Sequence, residues 1–274
     1  MARILIPTDF SSNALSAAVY AIRLHGVEGN RFVLLNTYMM PHGAASTMWN
    51  MDDLLAREAL AGVKAFAEVV RKAVPEPGLE LDAVAEHGDL PNVIDRYRTD
   101  AERPAMVVMG TQGASGLQEV LFGSNTASVI KQGAFPVLAV PAKAVYRAPK
   151  RILLADDGGP VDRETLAPAI ELARWNHGEI RVVRVITERK PAESTSSGTP
   201  YDALFGAIPH SLQYISGENV ESALNDLAEQ GDADLLVVLH RKRGIFQGLF
   251  HRSTAAALAM HTHLPLLVLQ QADR

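Results

Sequence analysis

The residues of this chain best suited to chemistry are carboxylates and glycines that follow apolar runs. The run "RILIP" ends in Thr8 and Asp9. A carboxylate in that place can accept a hydrogen bond from an exocyclic amino group, or it can help cap a helix starting at "SSN". The stretch "GTQGASGLQEVLFGSNT" sets Gly110 and Gly113 directly after the apolar run "AMVVM" and sets Gly123, Ser124, Asn125 and Thr126 at the start of a helix-like segment. Glycines after a strand let backbone N–H groups turn toward an anion, and a helix start adds further free N–H groups and the positive end of its dipole. Both ends of the stretch can thus face one polyphosphate. Turn formation alone also selects such glycines, and Ser124 or Asn125 serves equally as a helix cap. The stretch is neither a G-x-x-x-x-G-K-[ST] nor a G-x-G-x-x-G motif.

Other candidates carry less. Asp156 and Asp157 in "RILLADDG" pair two carboxylates that suit a metal or acid–base work. Equally, one caps a helix while the other pairs with a nearby arginine, and no nucleophile is placed beside them. Arg241, Lys242, Arg243 and Arg252 form a basic cluster that reads either as an anion site or as a solvated loop. "HTH" at His261 to His263, with His240 and His251 upstream, lacks a compact set of four zinc ligands. His25 and His177 stand at helix ends, where an imidazole suits the dipole. No catalytic residue and no metal ligand is assigned.

The elements that must position these residues come in two copies. "RILIPTDF" at Arg3 to Phe10 returns as "RILLADDG" at Arg151 to Gly158. Each copy continues with a helical pattern, and the two helices end at "RLHG" and "RWNHG", where Gly26 and Gly178 are expected to take a left-handed stop. "AMVVMG" matches "DLLVVLH", and "PVLAVP" matches "PLLVLQ". "AKAVYRAPK" reads as the linker, with domains at 1–145 and 150–274. Short Val, Ile and Leu runs alternating with amphipathic segments predict an α/β protein of two tandem doubly wound parallel-sheet domains, Rossmann-like in plan. In such sheets ligands lie beyond the carboxyl ends of the strands, which selects Thr8, Asp9, Asn36, Thr37 and the residues from Met109 onward.

Composition narrows the classes. The chain has 274 residues, 47% of them hydrophobic, no cysteine and a formal net charge of -5. It can bury two cores of common domain size, while disulfides and thiolate chemistry are absent. The acidic balance argues against a general nucleic-acid binder. No apolar run is long enough for a membrane span, and "MARILIPTDF" reads as a strand rather than a cleavable leader, so a cytoplasmic location is expected.

Gly110, two residues, Gly113, nine residues, Gly123 and Ser124 reproduce the G-x2-G-x9-G-[ST] signature of the nucleotide-binding universal stress protein family. "PTDFS" and "PVLAVP" also resemble that family, and the resemblance spans both copies. It implies an adenine nucleotide alpha hydrolase-like fold that binds ATP in the first copy, with Mg2+ on the phosphates. Pro7, Thr8 and Asp9 fall on the adenine-contacting strand end, with Asp9 meeting the base edge. Thr37 flanks the adenine, and Met109 and Gly110 match the ribose region. Gly113, Gly123, Ser124, Asn125 and Thr126 match the phosphate-binding loop.

The second copy departs from the pattern. His240 replaces Gly110, Arg243 replaces Gly113, and His251 or Arg252 replaces Gly123. Side chains there are expected to exclude ATP. The resemblance therefore implies a stress or signalling module with one nucleotide per chain. A slow ATPase or self-phosphorylating enzyme, with Ser124 or Thr126 as acceptor, and a nucleotide-independent scaffold are the alternatives. Single-copy members pair through their last strands, so the two domains are expected to pair within the chain near Val137 to Val140 and Leu266 to Leu269. A further homodimer is open. The methionines and Trp49 in Met39 to Asp53 read as a cover over the base or as packing against a helix from Met51. Glu188 to Gly206 reads as flexible.

Overall fold

The computed structural model describes residues 2–40, 49–99, 103–111, 124–186, 201–217, 220–230, 233–241 and 264–271. The chain divides into two compact units, changing over between Ala142 and Lys143. The first contains β1 (Ala2–Pro7), α1 (Ser12–His25), β2 (Asn30–Tyr38), α2 (Trp49–Ala73), β3 (Glu80–His87), α3 (Leu90–Arg96), β4 (Met106–Gly110), α4 (Ser124–Gln132) and β5 (Val137–Val140). The second contains β6 (Arg151–Asp156), α5 (Arg163–Trp175), β7 (Glu179–Ile186), α6 (Asp202–Phe205), β8 (His210–Ser216), α7 (Val220–Glu229), β9 (Leu235–His240) and β10 (Leu266–Gln270).

The strand order is β3-β2-β1-β4-β5 in the first unit and β8-β7-β6-β9-β10 in the second, so both follow one plan. Ladders within each unit are parallel. A parallel sheet covered on both faces needs strands apolar on both sides, and these strands supply them. Ile4, Leu5 and Ile6 of β1 and Phe32 to Leu35 of β2 have no solvent exposure. In the first unit the chain runs outward from β1 through β2 to β3, then returns to the other flank of β1 with β4. That reversal makes the carboxyl ends of β1 and β4 the topological switch point, the place where sheets of this type bind ligands.

Helix ends set the turns around this switch point. Ser11 caps α1, its Oγ accepting from the Ala14 amide at 3.1 Å, and Gly26 closes the helix with φ +68°. The N-cap of α5 is Asp162, whose side chain accepts from the Thr165 amide at 2.8 Å, so neither Asp156 nor Asp157 serves as its cap. The expected stop at Gly178 is also displaced. His177 takes the positive φ, at 50°. Gly178 is needed for a different reason: a Cβ there would lie 2.7 Å from the Lys150 carbonyl oxygen and 2.8 Å from that of Pro149. Of the stretch from Glu188 to Gly206, residues 188–200 lie outside the described residues, and Asp202–Phe205 forms α6. Among the described residues, no helix is long and apolar enough to cross a membrane.

Candidate functional site

The β1 ladder extends one residue past Pro7, which is buried: the Thr8 amide donates to Leu35 O at 2.8 Å. The Asn36 side chain then donates to Thr8 O at 2.8 Å, so the strand-end carbonyl is satisfied from β2. Thr8 is buried and its Oγ1 accepts from the Phe10 amide at 3.0 Å. That tight turn holds Phe10 at φ +65°, an uncommon value for a side chain of this size. The Phe10 ring lies over α2, where a Cβ on Gly62 would come within 3.0 Å of two ring atoms, and its centroid is 5.9 Å from that of Phe66. Between these anchored neighbours Asp9 is exposed, one carboxylate oxygen accepting from the Ser11 amide at 3.1 Å. Asp9 therefore shapes the turn before α1, while Ser11 is the cap.

On the neighbouring strand, Met109 is a core residue at the end of β4, so only its backbone is available to a ligand. A Cβ on Gly110 would lie 2.5 Å from Asn13 Nδ2 and 2.8 Å from Asn13 Cγ. Glycine is required here because α1 approaches β4 closely. Ser124 and Asn125 are exposed in the first turn of α4, which contains no acidic residue. Thr126 is different: it is buried, and its hydroxyl donates to Gly110 O at 3.0 Å. Thr37 is half-buried on β2, in register with Glu86 of β3. Gly113 and Gly123 lie outside the described residues. So does Met48, while Met39 and Met51 are 53% and 43% exposed.

The structure places Pro7, Thr8, Asp9, Met109, Gly110 and Thr126 at the neighbouring carboxyl ends of β1 and β4 and the start of α4, and adds Asn13 beside Gly110. Asn13 sits on the buried face of a helix, and only the absent Cβ at position 110 betrays its role.

The same place in the second unit is occupied by ion pairs. Asp156 corresponds to Thr8, and Arg184, opposite it in the β6–β7 register, corresponds to Asn36. The Arg184 guanidinium holds the Asp156 carboxylate through Nε at 2.9 Å and through Nη2. It also lies 5.7 Å from the Tyr214 ring centroid. Burial, with the Asp156 charge beside it, pushes the Tyr201 hydroxyl well above the usual tyrosine range. Asp157, the counterpart of Asp9, pairs with Arg241 at 3.2 Å. The two side chains are 5% and 10% exposed, so the pair is desolvated. Arg241 also donates to Gly159 O at 3.2 Å, in a space that a Cβ on Gly159 would invade to 1.8 Å from Nη1. Arg241 is therefore neither a solvated cation nor an open anion site. Lys242, Arg243, His251, Arg252 and the "HTH" histidines lie outside the described residues, and burial lowers the His240 pKa.

Comparison with known proteins agrees with this architecture. The model of the Universal stress protein family matches residues 1–141 and 203–270. Universal stress protein MJ0531 of Methanocaldococcus jannaschii is 30% identical over 142 residues, covering 50% of this chain and 81% of that protein. The crystal structure of a universal stress protein from Archaeoglobus fulgidus DSM 4304 superposes with a TM-score of 0.69 at 19% identity, covering 99% of this chain and 97% of that one. A putative universal stress protein from Pseudomonas aeruginosa UCBPP-PA14 gives 0.57 at 17% identity, covering 98% and 92%. With the shared fold and a family match in two segments that together span most of its length, the chain belongs to the universal stress protein family.

Proposed function

We propose that the first unit binds one adenine nucleotide, ATP with Mg2+ on its phosphates, and that the second unit is a nucleotide-free companion in a cytoplasmic stress or signalling module. One observation carries this reading: the Asp9 carboxylate is exposed at the end of β1, whereas its counterpart Asp157 is buried against Arg241. An exposed carboxylate can accept from the exocyclic amino group of adenine. A carboxylate already neutralised by a guanidinium has little left to offer a base.

The residues present suit such a ligand. Gly110 leaves no side chain over the end of β4, and the first turn of α4 carries the unpartnered N–H groups intrinsic to a helix start, with no acid to repel phosphate. Ser124 and Asn125 add polar side chains at that turn, and Gly113 and Gly123 would add backbone donors. Among the described residues, no group of three or more His, Asp or Glu side chains converges on a metal position. The ion in this reading accordingly rides on the phosphates rather than in a protein cage.

Isothermal titration of the full chain with ATP and Mg2+ tests the proposal. One equivalent is expected, with Asp9→Ala weakening binding about 10- to 100-fold, the range for a hydrogen bond to a charged group. No binding at millimolar ATP, or two equivalents per chain, would overturn it.

A further inference from the structure

Resting on the adenine reading of the first unit, we propose that Phe10 is a positioning residue: its ring, pinned on α2 at Gly62, holds the Asp9 carboxylate where it selects a purine that carries an exocyclic amino group. Asp9 stands between two anchors. On one side Thr8 is buried, its amide donating to Leu35 O and its carbonyl oxygen accepting from the Asn36 side chain, both at 2.8 Å. On the other side the Phe10 amide donates to Thr8 Oγ1 at 3.0 Å, and the Phe10 ring lies against α2. One Asp9 carboxylate oxygen accepts from the Ser11 amide at 3.1 Å, which restricts its rotation.

The pin joins two residues that each suit their local backbone poorly. Phe10 has φ +65°, a region that disfavours residues with a Cβ. Gly62 lies in the middle of α2, where glycine is a weak helix former. They meet at one contact: a Cβ on Gly62 would come 3.0 Å from both Cε2 and Cζ of Phe10, so glycine is what lets the ring lie against the helix. Burial alone does not account for the pair, because Phe10 remains 42% exposed while Phe66, 5.9 Å away between ring centroids, is 6% exposed. Local strain held in place by surrounding packing is characteristic of sites where geometry matters.

The second unit supplies an internal control. In the repeat alignment Gly158 takes the place of Phe10, and it has φ +79°. The turn is the same, since the Gly159 amide donates to Asp157 Oδ1 at 3.0 Å as the Ser11 amide does to Asp9. The left-handed turn therefore needs no ring, and glycine adopts it without strain. In that unit the acid is held by Arg241 and is 5% exposed. The unit whose acid faces solvent is the one that carries the aromatic pin. The ring takes over the guanidinium's part in fixing the carboxylate but leaves it accessible.

The test compares ATP with purine riboside triphosphate, in which hydrogen replaces the 6-amino group, by titration into the full chain with Mg2+. Wild type is expected to prefer ATP about 10- to 100-fold, the range for a hydrogen bond to a charged group, and Asp9→Ala to lose that preference. Phe10→Gly puts the second unit's residue into the first, so the turn is retained without the pin. It is expected to lower the preference about fivefold through weaker ATP binding, with affinity for the analogue within about twofold of wild type. Gly62→Ala, which favours the helix but pushes the ring aside, should lower the preference as well, and the double variant no further than Phe10→Gly alone. An unchanged preference in Phe10→Gly overturns the pin and leaves Asp9 as the base acceptor. Equal weakening of both nucleotides also overturns it, because that is what lost packing on α2 would give. Where Phe10→Gly fails to fold, Gly62→Ala decides by the same ratio. No preference in the wild type, or one that survives Asp9→Ala, removes the Asp9 contact and the pin together.

Discussion

At the residue scale, charges that sit out of water govern what can be measured. Both ring nitrogens of His25, at the end of α1, are shielded from solvent, and burial lowers its pKa from 6.5 to about 4. The folded state therefore favours the neutral ring. Its stabilising contribution is fully present above the unfolded pKa and is lost as pH falls from 6.5 toward 4, because only the unfolded chain takes up the proton in that window. The loss amounts to about 3 kcal/mol at most. Melting of His25→Gln should show a flatter pH dependence between pH 7 and pH 5 than wild type, and an equal slope would remove His25 as the cause.

Arg241 gives the second residue-scale expectation. Arg241→Ala leaves Asp157 buried without its partner, which should destabilise the second unit by about 3 kcal/mol. Denaturant unfolding of Arg241→Ala, Asp157→Asn and the double variant checks this, since a paired role requires the double variant to lose less than the sum of the singles. The replacement of the glycines by bulk was readable from the repeat alignment. Pairing of these acids with arginines was among the readings the sequence allowed, but which arginine meets which acid was not legible. Arg184 meets Asp156 through strand register, and Arg241 reaches Asp157 from a strand end more than eighty positions away.

At the element scale, the stop at Gly26 stands where the sequence puts it, but the chemistry of the other helix ends was less visible. Asp162 rather than Asp156 or Asp157 caps α5, because three acids precede that helix and only backbone geometry selects among them. Asp162→Ala should cost about 1 kcal/mol in denaturant unfolding, with the same change at Asp157 acting through Arg241 instead. Gly178 looked like a stop signal and is a packing contact. Gly178→Ala should cost about 2 kcal/mol or more, since the obstructing atoms are backbone carbonyls that no rotamer change can move. A residue needing glycine only to relieve a positive φ would lose less. Phe10 illustrates the converse limit, because nothing in "TDFSS" announces a left-handed phenylalanine.

At the scale of the molecule, the internal repeat and the alternation of strands and helices were enough to bring the carboxyl ends of β1 and β4 side by side. What separates the two copies is the strand-end acid, exposed at Asp9 and paired with Arg241 at Asp157. If the first unit alone holds the nucleotide, ATP at about 100 times its Kd should stabilise that unit by about 2.7 kcal/mol and leave the second unchanged. Hydrogen exchange read by peptide would show this as slower exchange in β1 and β4 with β6 and β9 unaffected. Slower exchange in all four would contradict a single site.

The placement of β1 between β2 and β4 also governs how the chain is made. Ile4 pairs with Met106, and in the later unit Ile152 pairs with Leu235. At roughly 5–20 residues per second, a ribosome needs on the order of ten seconds to deliver β4 after β1 has emerged. Throughout that interval the apolar strand at the centre of the nascent domain has one flank bare, so a chaperone that shields short Ile- and Leu-rich runs would have most to cover before β4 is in place.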